Sequence, residues 1–214
     1  MEIKVVKNIL DANNRIAEEN RKLFKEKNIF VINLMSSPGA GKTSFLEKII
    51  PSLSENFRVA VIEGDIQDTY DAEKIAKLNI PVVQINTGGA CHIDGNMVKE
   101  ALPGLNLDEI DILILENVGN LVCPAEFNIG EDLKIMMLSV TEGDDKPMKY
   151  PLMFKVSQAM VINKIDLIDY VDFNVEKAVK DALKINPSLE IFQISCKTGK
   201  GVEDFLTWLK KFKD

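Results

Sequence analysis

The sequence predicts an α/β fold, a mostly parallel sheet with helices on both faces, and two observations support this prediction. First, short apolar runs alternate with segments of helical periodicity, the pattern of a parallel sheet with crossover helices. Second, several runs lack the polar–apolar alternation of a half-exposed strand, which indicates strands buried on both faces. The runs are "IFVINLM", "FRVAVIEG", "PVVQINT", "DILILENVG", "KIMMLSV", "AMVIN" and "IFQIS".

An amphipathic helix is predicted before the first run, because apolar residues lie near helical spacing with charged residues between them. These apolar residues are Val5, Val6, Ile9, Ile16, Leu23 and Phe24. We expect residues 1–28 to pack as an N-terminal helix on a single domain that spans residues 1–214. The polar segment "TEGDDKPMKYP" is predicted to be an exposed loop.

Composition excludes several classes of function. The net charge of −7 disfavours sequence-independent binding to nucleic acid, which needs a basic surface. No apolar run reaches the roughly 18 residues of a membrane span, and the charged amino terminus is unlike a secretory signal. The 3 cysteines are too few for a disulfide framework, so we expect reduced thiols and a cytoplasmic location.

A phosphate-binding loop is predicted after the first apolar run, in "SSPGAGKTSFLEKI". Its small glycines let backbone N–H groups converge on phosphate oxygens, while Lys42 reaches the β- and γ-phosphates and Thr43 offers a hydroxyl to Mg²⁺. Ser36 replaces the first consensus glycine, and the alternative is an ordinary strand-to-helix turn. The motif predicts a P-loop NTPase. The predicted nucleotide-binding residues are Gly39, Ala40, Gly41, Lys42, Thr43 and Ser44.

A guanine-recognition motif is predicted in "AMVINKID", where an apolar run ends in Asn163 and Lys164, followed by Asp166. A carboxylate accepts hydrogen bonds from N1–H and the exocyclic amine of guanine, whereas adenine would leave it unpaired. The later segment "SCKTGKG" follows another run, where GTPases place a backbone amide against the guanine oxygen. Its candidate residues are Ser195, Cys196 and Lys197, and we interpret Cys196 as a small buried residue.

Two segments are predicted to sense the γ-phosphate. In "VIEGDIQDTYDAEKI", Asp65 and then Asp68 are the best candidates for the Mg²⁺ shell, although acids at a helix start explain Asp68 and Asp71 equally well. In "DILILENVGN", Glu116 and Gly119 have the spacing of a D-x-x-G switch with Glu for Asp. Mg²⁺ is therefore assigned to Thr43, Asp65 and Glu116. The predicted catalytic residues are Lys42, Asp65, Asp68 and Glu116.

No glutamine is evident that would position the attacking water. Hydrolysis is therefore predicted to be slow unless a partner or a second subunit completes the site. The sequence does not identify the residue that would take this role.

A transition-metal site is predicted from Cys91, His92 and Cys123, which are the only histidine and two of the three cysteines. Gly88 and Gly89 give the bent backbone that would let adjacent Cys91 and His92 share one ion. Thiolate and imidazole suit Zn²⁺ or Ni²⁺, and the residues leave the choice open. Three ligands leave a fourth position for water or a second subunit. The alternative is a packed histidine beside two buried cysteines.

Together, "SSPGAGKT", "EGD", "GGACHID", "ENVGNLVCP" and "NKID" resemble the HypB family, GTPases that help insert nickel during maturation of nickel–iron hydrogenases. The resemblance runs from about residue 5 to the end. It implies a P-loop fold of the signal-recognition-particle type, a homodimer when GTP is bound, and metal binding by Cys91, His92 and Cys123 at the subunit interface. It also implies two partners, another maturation factor and the hydrogenase large-subunit precursor. The resemblance further implies that Lys146 lies in a loop that approaches the nucleotide.

The chain departs from some members of this family, which carry a cysteine-rich N-terminal nickel motif or a histidine-rich stretch. We therefore expect a small metal capacity. The leading hypothesis is a GTP-hydrolysing metallochaperone. The alternatives are a GTP-dependent regulatory switch whose dimer is held by a purely structural zinc and, less favoured, a small-molecule kinase.

Overall fold

A computed structural model describes residues 8–65 and 70–213. Within these two ranges, seven strands form one sheet, and every strand pair in it is parallel. Each strand overlaps one of the predicted apolar runs, so the predicted parallel α/β fold is confirmed. The strands are β1 (Phe30–Ser36), β2 (Val59–Asp65), β3 (Val82–Asn86), β4 (Ile112–Glu116), β5 (Leu133–Ser139), β6 (Ala159–Asn163) and β7 (Glu190–Gln193). Their order is β3-β2-β4-β1-β5-β6-β7.

Helices connect these strands. They are α1 (Asn8–Glu26), α2 (Lys42–Ser54), α3 (Tyr70–Ala76), α4 (Gly95–Ala101), α5 (Cys123–Glu126), α6 (Lys146–Lys149), α7 (Pro151–Val156), α8 (Val175–Ile185) and α9 (Val202–Lys210). Within the two described ranges, none of the helices is both long enough and apolar enough to cross a membrane.

The predicted N-terminal helix is confirmed as α1, although Val5 and Val6 lie outside the described residues. Its buried face is more polar than the apolar pattern indicates, since Asn20 is 2% exposed. The Asn20 side chain donates to the backbone carbonyls of Gly95 and Ile129, at 2.8 Å and 3.3 Å. Asparagine is tolerated there because its amide group is paired with backbone atoms of the loops that α1 covers.

The core divides along the two faces of the sheet. On one face, Val59 and Val61 of β2 pack in a cluster with residues of α2 and α9. On the other face, Ala60 and Ile62 pack in a cluster with residues of α1 and α4, and a third cluster fills the space under α7 and α8. Alternate residues of one strand thus point to opposite layers, as the twofold side-chain period of a strand requires.

The segment "TEGDDKPMKYP" is less irregular than predicted. After a turn it forms the short helix α6, and α7 follows directly. Pro147 and Pro151 lie in the first turn of these helices. Proline is compatible with that position because the first helical N–H groups have no partner within the helix.

Candidate functional site

The P-loop connects β1 to α2 at the carboxyl edge of the sheet, beside the point where strand order reverses. Ligands of open α/β sheets bind at such a point. Gly39 and Gly41 have φ values of 76° and 97°, in the left-handed region that favours glycine. A Cβ at Gly41 would lie 2.6 Å from Nδ2 of Asn163, so the loop has no room for a larger residue there. Lys42 donates to Ser36 Oγ at 3.2 Å.

Asn163 connects three loops at the base-binding end of the site. Its Nδ2 donates to the Ala40 carbonyl at 2.9 Å, which joins the end of β6 to the P-loop. Its Oδ1 accepts from the backbone N–H groups of Lys164, at 2.7 Å, and Cys196, at 3.2 Å. The side chain is 1% exposed, and its amide organises the loops around the cavity.

The residues predicted to recognise guanine surround one cavity of about 590 Å³. Lys164 adopts a φ of 62° and donates from Nζ to the Gly39 carbonyl at 2.6 Å, so its stem crosses towards the P-loop. Asp166 accepts from Ser195 Oγ at 2.6 Å. The cavity is lined by Gly41, Ser44, Glu47, Lys48, Asn163, Lys164, Asp166, Leu167, Cys196 and Lys197. Cys196 is buried, and burial raises the pKa of its thiol to about 11.

Glu116 faces the phosphate end of the P-loop. Its Oε1 accepts from Thr43 Oγ1 at 3.1 Å, while its Oε2 has no hydrogen-bond partner. The side chain is 3% exposed. Burial raises the pKa of Glu116 to about 7, although nearby Lys42 and the Thr43 hydroxyl lower it in part. A carboxylate and a hydroxyl that already meet here are the oxygen ligands that Mg²⁺ prefers.

Glu63 is a residue of this region that the sequence reading missed. It lies on β2 beside Glu116 of β4 in the parallel register, and it is 2% exposed. Burial, followed by the neighbouring Glu116 carboxylate, raises the pKa of Glu63 to about 8. The available signal was an acid inside the apolar run "FRVAVIEG", where a strand buried on both faces has little reason to carry one.

Asp65 and Gly119 line the same cavity as Glu63 and Glu116, with a volume of about 240 Å³. The other lining residues are Pro38, Gly39, Lys42, Gly64, Asp71, Asn117 and Val118. A Cβ at Gly119 would lie 2.9 Å from Pro38 Cα, so the loop after β4 packs directly on the P-loop. Asp68 lies outside the described residues.

Lys146 begins α6 and lines a neighbouring cavity with Ser37, Pro38 and Val122. It therefore lies beside the P-loop and the loop after β4.

Cys91, His92 and Cys123 come together on two loops at the same edge of the sheet. One potential ligand atom of each lies within 4.8 Å of the others, and all three residues are half-buried. Cys91 Sγ is 2.9 Å from Cys123 Sγ and 3.7 Å from His92 Nδ1. Within residues 8–65 and 70–213, no other group of three or more His, Cys, Asp or Glu side chains lies close enough together to hold a metal ion.

Local backbone geometry brings adjacent Cys91 and His92 together. Gly88 and Gly89 both have positive φ, at 61° and 95°, and the turn continues with a hydrogen bond from Thr87 Oγ1 to the Ala90 carbonyl. The two glycines thus provide the bend that the sequence predicts. Across from them, Cys123 is the first residue of α5, and its backbone N–H donates to Asn120 Oδ1 at 3.3 Å.

The imidazole and the thiols of the cluster must be unprotonated at the atoms that bind a metal ion. Burial lowers the pKa of His92, which keeps the imidazole neutral and able to bind an ion. The contact with Cys91 and burial raise the pKa of Cys123 to about 11 without an ion, so metal binding must displace a proton from this thiol.

Asn117 connects the metal cluster to the phosphate end. It follows Glu116 directly and is fully buried. Its Oδ1 accepts from the N–H of Ile93, which follows His92, and from the N–H of Val118, each at 3.0 Å. Its Nδ2 donates to Asn33 Oδ1 of β1 at 3.1 Å. One side chain therefore holds the loop of His92, the loop after β4 and the P-loop strand in fixed relation.

Comparison with known proteins identifies the family. Residues 30–193 match the nucleotide-binding domain of CobW, HypB and UreG. The hydrogenase maturation factor HypB of Escherichia coli K12 is 48% identical over 208 residues, which are 97% of this chain and 72% of that protein. The chain belongs to the HypB family.

Solved structures agree with this membership of the HypB family. HypB from Helicobacter pylori, crystallised in complex with nickel, has a TM-score of 0.90 and 40% identity, over 94% of this chain and 95% of that one. The signal recognition particle receptor FtsY from Elizabethkingia anophelis has a TM-score of 0.57 and 14% identity, over 96% and 76%. The second likeness concerns the fold alone.

Proposed function

We propose that this protein is a GTP-hydrolysing metallochaperone that binds nickel or zinc at Cys91, His92 and Cys123 and supports nickel insertion into nickel–iron hydrogenase. One observation carries this proposal. The segment from Glu116 to Cys123 touches the P-loop Thr43 at one end and supplies a thiol to the metal cluster at the other. Nucleotide state and metal binding therefore act on the same short stretch of chain.

GTP is the proposed nucleotide because the cavity beside the P-loop is lined by Asp166, whose carboxylate can accept from N1–H and the exocyclic amine of guanine. Asp166 is oriented by Ser195, and Asn163 joins the loop of Asp166 to the P-loop. Ser44 and Lys197 line the same cavity. A carboxylate that pairs with N1–H and the exocyclic amine rejects adenine, which offers neither donor at those positions.

Mg²⁺ is proposed to bind between the phosphates and the carboxylates at the end of β2 and β4. Thr43, Asp65 and Glu116 would hold it, and the unpartnered Oε2 of buried Glu116 supports the fit, because Mg²⁺ binds oxygen ligands of this kind. The cation would neutralise charge that develops on the phosphates, while Lys42 reaches the same oxygens from the P-loop. Asp68 stays a candidate from the sequence alone.

Coupling is proposed to run through Asn117. Loss of the γ-phosphate would release Gly119 from the P-loop and let the stretch from Glu116 to Cys123 move. Because Asn117 also binds the N–H of Ile93, the same movement would disturb His92 and Cys91. A change of this kind separates one sulfur from the other two ligands and weakens metal binding.

A homodimer in the GTP-bound state is proposed to complete the metal site. Three ligand residues leave one position of a tetrahedral site to water or a second copy. Val122, next to Cys123, is 49% exposed and Met148 is 63% exposed, so apolar side chains are available here for contact with a second copy. The metal would pass to the hydrogenase large-subunit precursor with the help of another maturation factor.

The coupling is tested by titrating Ni²⁺ and Zn²⁺ into the full chain with a non-hydrolysable GTP analogue and with GDP. We expect metal dissociation constants that differ by about tenfold or more between the two states. Equal constants would contradict the proposal. Sedimentation in the same samples reports whether the analogue also favours the dimer.

The variant Cys123→Ala separates delivery from a purely structural zinc. A delivery role predicts a normally folded protein that fails to transfer metal, whereas a structural zinc predicts a large loss of stability. Cys196→Ala is the matched control for metal content, because this third cysteine lies outside the cluster. Its metal stoichiometry is expected to equal that of the unchanged protein.

A further inference from the structure

Glu63 occupies a position where the fold calls for an apolar side chain. On β2 it follows Val59 and Val61 at intervals of two residues, and both valines pack against α2 in the core. The same face of the strand therefore carries Glu63 under the start of α2. It is 2% exposed, so its carboxyl group is nearly removed from bulk water.

Glu63 and Glu116 form a pair of adjacent carboxyl groups. They are direct register partners on neighbouring parallel strands, whose backbones lie about 4.8 Å apart, and their side chains emerge on the same face. Each has one buried oxygen, Oε2, without a hydrogen-bond partner. Across residues 8–65 and 70–213, these two are the only buried side-chain nitrogen or oxygen atoms that lack a partner. Such atoms indicate a ligand that the protein alone does not supply.

The chemistry of the cavity selects the kind of ligand. Two buried carboxyl groups side by side repel each other when ionised, and a cation between or beside them removes that cost. Both groups line the cavity that also contains Lys42 and the P-loop residues Pro38 and Gly39. An oxygen-rich site next to a phosphate-binding loop suits Mg²⁺, which binds one or two carboxylates, keeps several waters and contacts substrate phosphates.

We propose that Glu63 acts with Glu116 to hold the hydrated Mg²⁺ of the bound nucleotide, and so is a positioning residue for phosphate chemistry at this site. The inference rests on the proposed binding of GTP. It adds a third carboxylate to a cation site otherwise built from Thr43, Glu116 and Asp65. It also explains why β2, unlike the other interior strands, carries a buried acid before its last residue.

The test measures the Mg²⁺ dependence of nucleotide binding rather than turnover. A fluorescent GDP and a fluorescent non-hydrolysable GTP analogue are bound to the full chain in EDTA and then across a MgCl₂ titration. For Glu63→Gln we expect the Mg²⁺ concentration at half-effect to rise by about tenfold or more, with unchanged affinity in EDTA. Glu63→Val, which continues the apolar face of Val59 and Val61, is expected to give the same shift in a well-packed protein.

Glu131→Gln is the matched control, because Glu131 is also buried but its oxygens are paired with Asn33, Ile129 and Lys134. Its Mg²⁺ titration is expected to match that of the unchanged protein. A second readout is the rise in Tm that Mg²⁺ adds to the analogue-bound protein, which should shrink for Glu63→Gln and not for Glu131→Gln.

Two results would overturn the inference. One is a Mg²⁺ titration of Glu63→Gln that matches the unchanged protein, and the other is an equal loss of affinity with and without Mg²⁺. Either result overturns this inference alone, provided that the unchanged protein binds guanine nucleotides in a Mg²⁺-dependent manner. An unchanged protein that binds no guanine nucleotide would overturn the proposed function as well.

Discussion

The two ends of the nucleotide site differ in how their polar groups are satisfied. At the base end, Asn163, Lys164 and Asp166 each pair with another part of the protein, through the Ala40 carbonyl, the Gly39 carbonyl and the Ser195 hydroxyl. At the phosphate end, Glu63 and Glu116 are buried and each keeps an oxygen without a partner. The polar groups of the base end are held by hydrogen bonds within the protein, whereas the carboxyl groups of the phosphate end still lack a partner that a cation could supply.

This difference between the two ends indicates that ligand binding should affect the phosphate end more than the base end. A base end whose loops already hold one another loses little conformational freedom when guanine binds, so its contribution is selectivity. The phosphate end gains most from its ligand, because Mg²⁺ and phosphate satisfy groups that are costly to bury alone. The segment that leads to Cys123 begins at this second end, and the metal cluster is therefore connected to the part of the site that responds most to nucleotide.

The largest effect is expected from Asp166→Asn at the base end. The amide would present a donor to the exocyclic amine of guanine, which is itself a donor, and we expect GTP affinity to fall by on the order of 10⁴-fold. Xanthosine triphosphate should bind better than GTP, because its base has a carbonyl in place of the exocyclic amine. Equilibrium titration with both nucleotides measures the change.

Glu47→Gln is the control for this variant, since Glu47 is an exposed acid that lines the same cavity. It is expected to change GTP affinity by less than about threefold. A similar small change in Asp166→Asn would show that the base end is not built around this carboxylate.

A pH effect is expected at the phosphate end of the protein without nucleotide or metal. The pKa values of Glu63 and Glu116 rise to about 8 and about 7 on folding, so the folded chain retains protons that the unfolded chain releases. Their contribution to stability is fully present below the unfolded pKa of 4.5 and is lost as the pH rises through 7 to 8. At about 1.4 kcal/mol for each unit of pKa shift, we expect the free energy of unfolding to fall by several kcal/mol between pH 4.5 and pH 8.

Urea denaturation at several pH values measures this slope. Mg²⁺ with a GTP analogue should flatten it, since the cation then takes the place of the protons. If the free energy of unfolding falls equally steeply with pH when Mg²⁺ and the analogue are bound, the phosphate end does not depend on a charged ligand as proposed.

Removing the charge of a buried glutamate should have opposite effects on the free energy of unfolding at Glu131, which has partners, and at Glu63, which has an unpartnered oxygen. Both effects are expected to be smaller than the pH effect. Glu131→Gln removes a charge that faces Lys134 at 3.2 Å, and we expect a loss of about 2 kcal/mol. Above pH 8, Glu63→Gln should instead stabilise the metal-free chain, because it removes a charge without a partner. Denaturant unfolding of both variants under identical conditions tests the signs.

The smallest effect is expected from Ser36→Gly, which restores the consensus first residue of the P-loop. Ser36 Oγ donates to the Ser37 carbonyl and accepts from Lys42, but Lys42 is expected to leave it for the phosphates when nucleotide binds. We expect GTP affinity to change by about threefold, a fraction of one hydrogen bond. Calorimetry measures this change, and a much larger loss would give Ser36 a direct role in phosphate binding.

Local motifs made most of the site predictable. The P-loop and the segment from Asn163 to Asp166 carry their chemistry in a few consecutive residues, so spacing alone identifies them. The metal cluster was harder, because Cys91 and Cys123 lie on separate loops. Its prediction depended on the rarity of cysteine and histidine in this chain, and on two apolar runs whose ends were expected to meet at one edge of the sheet.

Glu63 is a residue whose role depends on a contact that short sequence motifs do not reveal. Its neighbours in the chain mark it only as an acid in an apolar run, and its significance comes from Glu116 on the next strand. The link through Asn117 is similar, since its partners Ile93 and Asn33 are distant in sequence. Pairings of this kind depend on strand order and register, which a single sequence does not reveal.

The sequence by itself determined the class of fold, and it carried the P-loop motif, the guanine-recognition motif and the candidate soft metal ligands, because each depends on side-chain chemistry or periodicity over a short span. Only the tertiary structure decided which buried groups face one another. The strand order β2-β4-β1 places the carboxyl groups of Glu63 and Glu116 near Thr43 of the P-loop. The loop that carries Cys123 begins at the same end of β4. The physical reason is that burial and pairing of charge are properties of neighbours in space, and the chain acquires those neighbours only when it folds.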